Sequence, residues 1–154
     1  MLKRNIPKKL WDNCLELKSI IRSATTLPCC DLDHQTPEAK IHGMSADISD
    51  MCEFEFYKWV MFNESQATFP ETKFHVGRWL RYAVDVGYTL TYKVLKSNGQ
   101  VVLRSTIRHL TLDKLTNPEH IATRKTFDDN IIQKIGVPAT ESDFDKDYLT
   151  PTYE

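Results

Sequence analysis

From His75 to Leu110 apolar and polar residues alternate with a period of two, the spacing of strands that bury one face. Asn98-Gly99 stands between two such runs, residues 88–96 and 101–110. Asn-Gly supplies the two positive-φ positions of a type I′ turn, whose twist matches that of the strands it joins. A two-residue loop fixes the pairing by arithmetic: Lys96 faces Val101, Val94 faces Leu103, Tyr92 faces Ser105 and Leu90 faces Ile107. The opposite side then sets Lys93 against Arg104, Thr91 against Thr106 and Thr89 against Arg108. Leu90, Val94, Leu103 and Ile107 want a core. The other face opposes two cations directly, which costs stability unless something anionic lies across them.

Upstream the period changes. Pro7 is placed as a first helical residue, and Leu10, Cys14, Leu17 and Ile21 recur at three- and four-residue spacing, with Trp11 and Ile20 widening the stripe. An amphipathic helix is predicted over residues 7–24, with Lys8, Lys9, Lys18 and Arg22 off its apolar face. Thr36-Pro37 reads as an N-cap with a first helical proline and Gly43 as the stop of a short helix; a single turn is predicted near residues 48–52. The aromatic run Phe54 to Phe62 reads as a strand, and further strands are expected near 76–85, 88–96 and 101–110. Short strands joined by tight turns predict a small closed barrel. Beyond Leu112 the periodicity fades: TFDDNIIQKI admits a helix, and the acidic end, poor in aliphatics, predicts a mobile tail. The expected organisation is therefore a helical segment (1–50), a β-barrel (51–112) and an acidic tail (113–154).

The net charge of −1 conceals blocks. Residues 1–25 carry six basic and two acidic side chains, 26–69 two and eight, 70–110 seven and two, and 111–154 five and nine. Two basic blocks against an acidic middle and end suit a molecule with one side facing nucleic acid, although ordinary solvated charge gives the same pattern. No apolar run is long enough for a membrane span, and the basic opening lacks a signal-peptide core, so an intracellular chain with reduced thiols is expected. Cys14, Cys29, Cys30 and Cys52, even with His34, have poor zinc-ligand spacing and read as ordinary thiols.

In order along the chain, Leu10-Trp11, Thr36-Pro37, Asp47-Ile48-Ser49, Gly77-Arg78-Trp79-Leu80, Val86-Gly87-Tyr88 and Arg104-Ser105-Thr106 resemble the C-terminal part of integrase in copia-type retrotransposon polyproteins. The resemblance covers residues 7 to about 110, and the remainder is similar to the spacer before reverse transcriptase. It implies the last helix of the catalytic core followed by a small antiparallel Src-homology-3-like barrel. It also implies a role in DNA integration within a larger Pol polyprotein, in the nucleus, with DNA and the rest of that polyprotein as partners. The two aspartates and the glutamate that hold Mg or Mn in such integrases would lie before Pro7, so no catalytic residue, metal or cofactor is expected in this stretch. Arg81 departs from the family's frequent glycine, and the Cys29-Cys30 pair is outside its pattern. A helix stripe made for an absent core would remain partly exposed and promote self-association.

Arg78, Lys93, Lys96, Arg104 and Arg108 are the candidate nucleic-acid contacts, because phosphates would relieve their crowding and give salt-sensitive binding. A different reading takes Trp79, Tyr82, Tyr88 and Tyr92 as the aromatic cage of a chromatin-reading barrel. Alternation favours the core for Tyr88 and Tyr92. Asp12 and Glu16 share a helix face and would suit a metal-dependent nuclease, but a solvated face beside Lys8 and Lys9 explains them as well.

Overall fold

Five strands form one antiparallel sheet in the order β4-β3-β2-β1-β5. They are β1 (Trp59–Asn63), β2 (Phe74–Tyr82), β3 (Tyr92–Leu95), β4 (Val101–Arg104) and β5 (Ile107–His109). A 3-10 turn (Lys8–Leu10) leads into α1 (Trp11–Ser23); α2 (Pro37–His42) and α3 (Ser49–Cys52) precede the sheet, and α4 (Leu112–Thr116) and α5 (Pro118–Ile135) follow it. The structure is a computed structural model, and it describes residues 6–26, 32, 34–44, 47–64, 73–84, 86 and 90–136. Gly87, Tyr88 and Thr89, the Cys29-Cys30 pair and residues 137–154 of the expected tail lie outside the described residues.

Both faces of the sheet are covered. On one, Val60, Phe62, Trp79, Tyr92 and Val94 bury with Phe54 and with Leu17 of α1. On the other, Leu80 and Leu95 pack with Tyr57, with Ile6 and Leu10, and with Phe127 and Ile131 of α5. The helix of residues 118–135 thus takes up the first part of the segment expected as tail, including the TFDDNIIQKI stretch: its stripe at Phe127, Ile131 and Ile135 is narrow but completes a core. Asn117 caps it, its side chain accepting from the Glu119 amide, and Pro118 opens it, the same device that Thr36 and Pro37 supply at α2.

Two local features shape the sheet. A bulge in β2 between Trp79 and Arg81 bends the longest strand. Next to it Gly77 lets β3 approach closely, since a Cβ there would stand 2.7 Å from Val94 Cγ1 and 2.9 Å from the Leu95 carbonyl oxygen.

The β3–β4 register differs from expectation by one residue: Tyr92 faces Arg104, Lys93 faces Leu103, Val94 faces Val102 and Leu95 faces Val101. The cause is the turn. Only Gly99 takes a positive φ (82°); Asn98 instead accepts a hydrogen bond from the Gln100 amide with its side chain. Lys96 and Gln100 close the hairpin through a 2.9 Å bond, making a three-residue loop with glycine at its left-handed position. One residue of slip moves every side chain of a strand to the other face. Leu103 is accordingly 41% exposed, Arg104 turns inward, and the opposed pair Lys93–Arg104 does not exist. Leu90 is also exposed, Ile107 is half-buried, and Val94 is buried as expected. Nor does one strand run from 101 to 110: it breaks at Ser105-Thr106, and β5 crosses to pair with β1.

The N-terminal helix falls where its stripe predicts. Leu10 and Leu17 are buried, Ile21 packs half-buried beside Leu17 on the sheet, and Trp11 and Cys14 are half-buried.

Candidate nucleic-acid interface

The five candidate cations have three different fates. Arg78 is 8% exposed and belongs to the interior. Its Nη2 donates to both carboxylate oxygens of Asp128 at 2.9 Å and its Nη1 to the Tyr57 carbonyl at 3.1 Å. The guanidinium lies 4.5 Å from the Tyr57 ring centroid and 3.5 Å from that of Trp59. Burial lowers the pKa of Arg78 from its ordinary value, opposed by the hydrogen bond and charge of Asp128. The same burial pushes the Tyr57 hydroxyl up to about 12. An arginine so enclosed cannot reach a phosphate, and its assignment to a DNA-facing surface is corrected.

Lys96 and Arg104 converge on one carboxylate. Lys96 Nζ donates to Glu64 Oε1 at 2.6 Å, Arg104 Nη2 approaches it at 3.7 Å, and His75 Nε2 lies 3.6 Å from Oε2. The Lys96 hydrogen bond foremost holds the Glu64 carboxyl below the usual carboxylate range. A counter-ion for the crowded hairpin is therefore supplied from within, by the residue that follows β1.

Lys93 and Arg108 remain. Among the described residues neither has an ion-pair partner. Arg108 is exposed on β5, 4.8 Å from the centroid of Phe74, which belongs to β2. Lys93 is half-buried and faces Arg81 across the β2–β3 ladder. Arg81, only 5% exposed, forms an ion pair with Glu16 of α1 and donates to the Tyr82 carbonyl at 3.3 Å. Lys93 is thus the cross-strand neighbour of the arginine that is tied to α1, a helix on which Lys18 and Arg22 are exposed, as are Lys8 and Lys9 in the 3-10 turn before it.

The competing sites are also placed. Trp79 and Tyr92 are buried and Tyr82, half-buried, meets Tyr92 edge-on at 6.4 Å, so the three described aromatics of the proposed cage pack the sheet. Glu16 is committed to Arg81 while Asp12 is exposed. Cys14 is half-buried, and burial pushes its thiol pKa up; Cys52 is exposed, and both side chains are thiols. Among the described residues no three His, Cys, Asp or Glu side chains gather as a metal would require, and no helix is long and apolar enough to cross a membrane.

The partners Asp128, Glu64 and Glu16 were not singled out as partners by sequence reasoning. Asp128 lies fifty positions from Arg78, so no local pattern joins them. Neither a protein-family model, nor a curated protein, nor a solved structure matches the chain.

Proposed function

We propose that this chain is the DNA-binding, architectural C-terminal part of a retrotransposon integrase and carries no catalytic triad of its own. The ordered phrases from Leu10-Trp11 to Arg104-Ser105-Thr106 support the assignment. The strand order, a meander of four strands whose fifth returns to the first, is compatible with it, although β4 and β5 are the two edges of an open sheet and the expected closed barrel is not formed among the described residues. The observation that carries the binding reading is the position of Lys93: it lacks an ion-pair partner among the described residues and lies across the ladder from Arg81, which is ion-paired to α1, where Lys18 and Arg22 are exposed.

That surface would contact phosphates rather than base edges, giving weak, sequence-tolerant duplex binding in the nucleus, with the rest of a Pol polyprotein as the second partner. Purified protein should bind unrelated duplexes with similar affinity, and log affinity should fall against log salt with a slope of roughly −3 for three or four neutralised phosphates. Salt-independent binding, or none at low salt, would remove the reading. Reading the coding frame upstream tests the integrase assignment separately: two aspartates and a glutamate of a metal-binding core should precede Pro7. A folded partner of another class there would reject it.

A further inference from the structure

A cleft of about 530 Å³ opens between the end of β1, the start of β2 and residues 120–130 of α5. Its volume is in the range of small-molecule sites, roughly 300–1,000 Å³. Phe62, Phe74 and Phe127 give it aromatic walls, and Lys96 stands at its edge. The helix contributes His120, Thr123, Thr126 and Asn130, so only Phe127 among the five α5 residues facing the cleft is apolar. A helix that merely covers a sheet turns an apolar stripe towards it. Here the C-terminal half of α5 does so, through Ile131 and Ile135, and the N-terminal half does not. The side chains of His120 and Asn130, both half-buried, have no hydrogen-bond partner among the described residues.

Among the described residues the charge around the cleft is unbalanced: Glu64 is the one carboxylate lining it, and it already serves Lys96, Arg104 and His75. Arg108, over Phe74, adds a further cation at the rim. The preferred ligand is an anion with a flat apolar part: aromatic walls accept a heterocycle by stacking, and a surplus of cations accepts a phosphate.

We propose that this cleft binds a single nucleotide unit, its base against Phe74 and its phosphate towards Lys96 and His120. The unit could be a free nucleotide or the unpaired end of a strand, whose chemistry is shared. This site stands independently of duplex binding through Lys93 and α1.

Titration of the full chain with deoxyadenosine 5′-monophosphate, followed through the ring resonances of His75 and His120, tests it. Saturable shifts of both rings are expected, with deoxyadenosine and inorganic phosphate each binding about tenfold or more weakly. Thr123→Trp, at an exposed helix position, fills the cleft and should lower nucleotide affinity about tenfold while duplex affinity is retained. A 5′-phosphorylated single-stranded hexamer that binds more tightly than the mononucleotide assigns the site to strand ends; equal or weaker binding assigns it to free nucleotides. Absence of saturation at millimolar nucleotide, phosphate binding as well as the nucleotide, or a folded Thr123→Trp protein with unchanged affinity would overturn the proposal.

Discussion

Two arginines three residues apart on β2 each latch a helix to the same strand, and they do so unequally. Arg78 holds α5 with two 2.9 Å bonds to Asp128 and lies between two aromatic rings. Arg81 holds α1 through Glu16 alone, whose side chain is 53% exposed. The helices differ in the opposite sense. α1 carries a wide stripe from Leu10 to Ile21, whereas α5 offers Phe127, Ile131 and Ile135 on an otherwise polar cylinder. The helix with the weaker apolar face thus has the stronger polar anchor. A buried ion pair is poor evidence of net stability, but breaking one leaves an uncompensated charge. The contrast therefore predicts which side of the molecule fails first.

Asp128→Ala should have the largest effect, about 3 kcal/mol in urea unfolding, because Arg78 stays buried with its best acceptor gone. Loss of helical signal ahead of the sheet would show that α5 detaches. A change below about 0.5 kcal/mol, the level of an ordinary surface substitution, would remove the latch from the account. Gly77→Ala comes next, at about 2 kcal/mol, since its methyl must displace Val94 or the β3 backbone. An unchanged urea midpoint there would mean that the strands part without cost.

Glu16→Ala should cost about 1 kcal/mol, less than Asp128→Ala, because one ion pair is lost there rather than two 2.9 Å hydrogen bonds and α1 keeps its apolar contacts. Equal losses at the two sites would erase the comparison. Tyr57 sharpens it without changing stability at neutral pH. Its hydroxyl is raised to about 12 in the fold, against about 10 in an unfolded chain. The folded state therefore keeps its full stability below the lower value and loses it as pH rises between the two. Tyr57→Phe should flatten that alkaline decline; a spectroscopic titration of Tyr57 at its ordinary pKa would contradict it.

Where periodicity was strong the sequence was legible. The α1 stripe, the Thr36-Pro37 start and the Gly43 end of α2 all stand where the residues put them. Buried Tyr92 follows from alternation as well. The β1 start was placed too early, since Tyr57 takes a positive φ of 63° and the strand begins at Trp59. The hairpin register failed because Asn-Gly fits two loop lengths, and only the bond between Lys96 and Gln100 distinguishes them. The second half of α5 was legible as TFDDNIIQKI, but its polar first half was missed, although Asn117-Pro118 carried the same start signal as Thr36-Pro37. Of the candidate site, the existence of cations was legible and their partners were not. Arg78 meets Asp128, and Lys96 meets Glu64, only through tertiary contact.

The central claim is that DNA meets the cations the fold leaves unpaired. Duplex affinity at low and moderate salt should be compared between two folded variants. One reverses Lys93, Lys18 and Arg22 to Glu; the other converts Lys96 and Arg104, the Glu64 partners, to Gln. The first should weaken binding about tenfold or more and flatten the salt dependence by about one unit of slope for each phosphate no longer neutralised. The second should leave both nearly unchanged. If the Lys96 and Arg104 variant loses affinity while the triple reversal keeps it, the binding surface has been placed on the wrong side of the sheet.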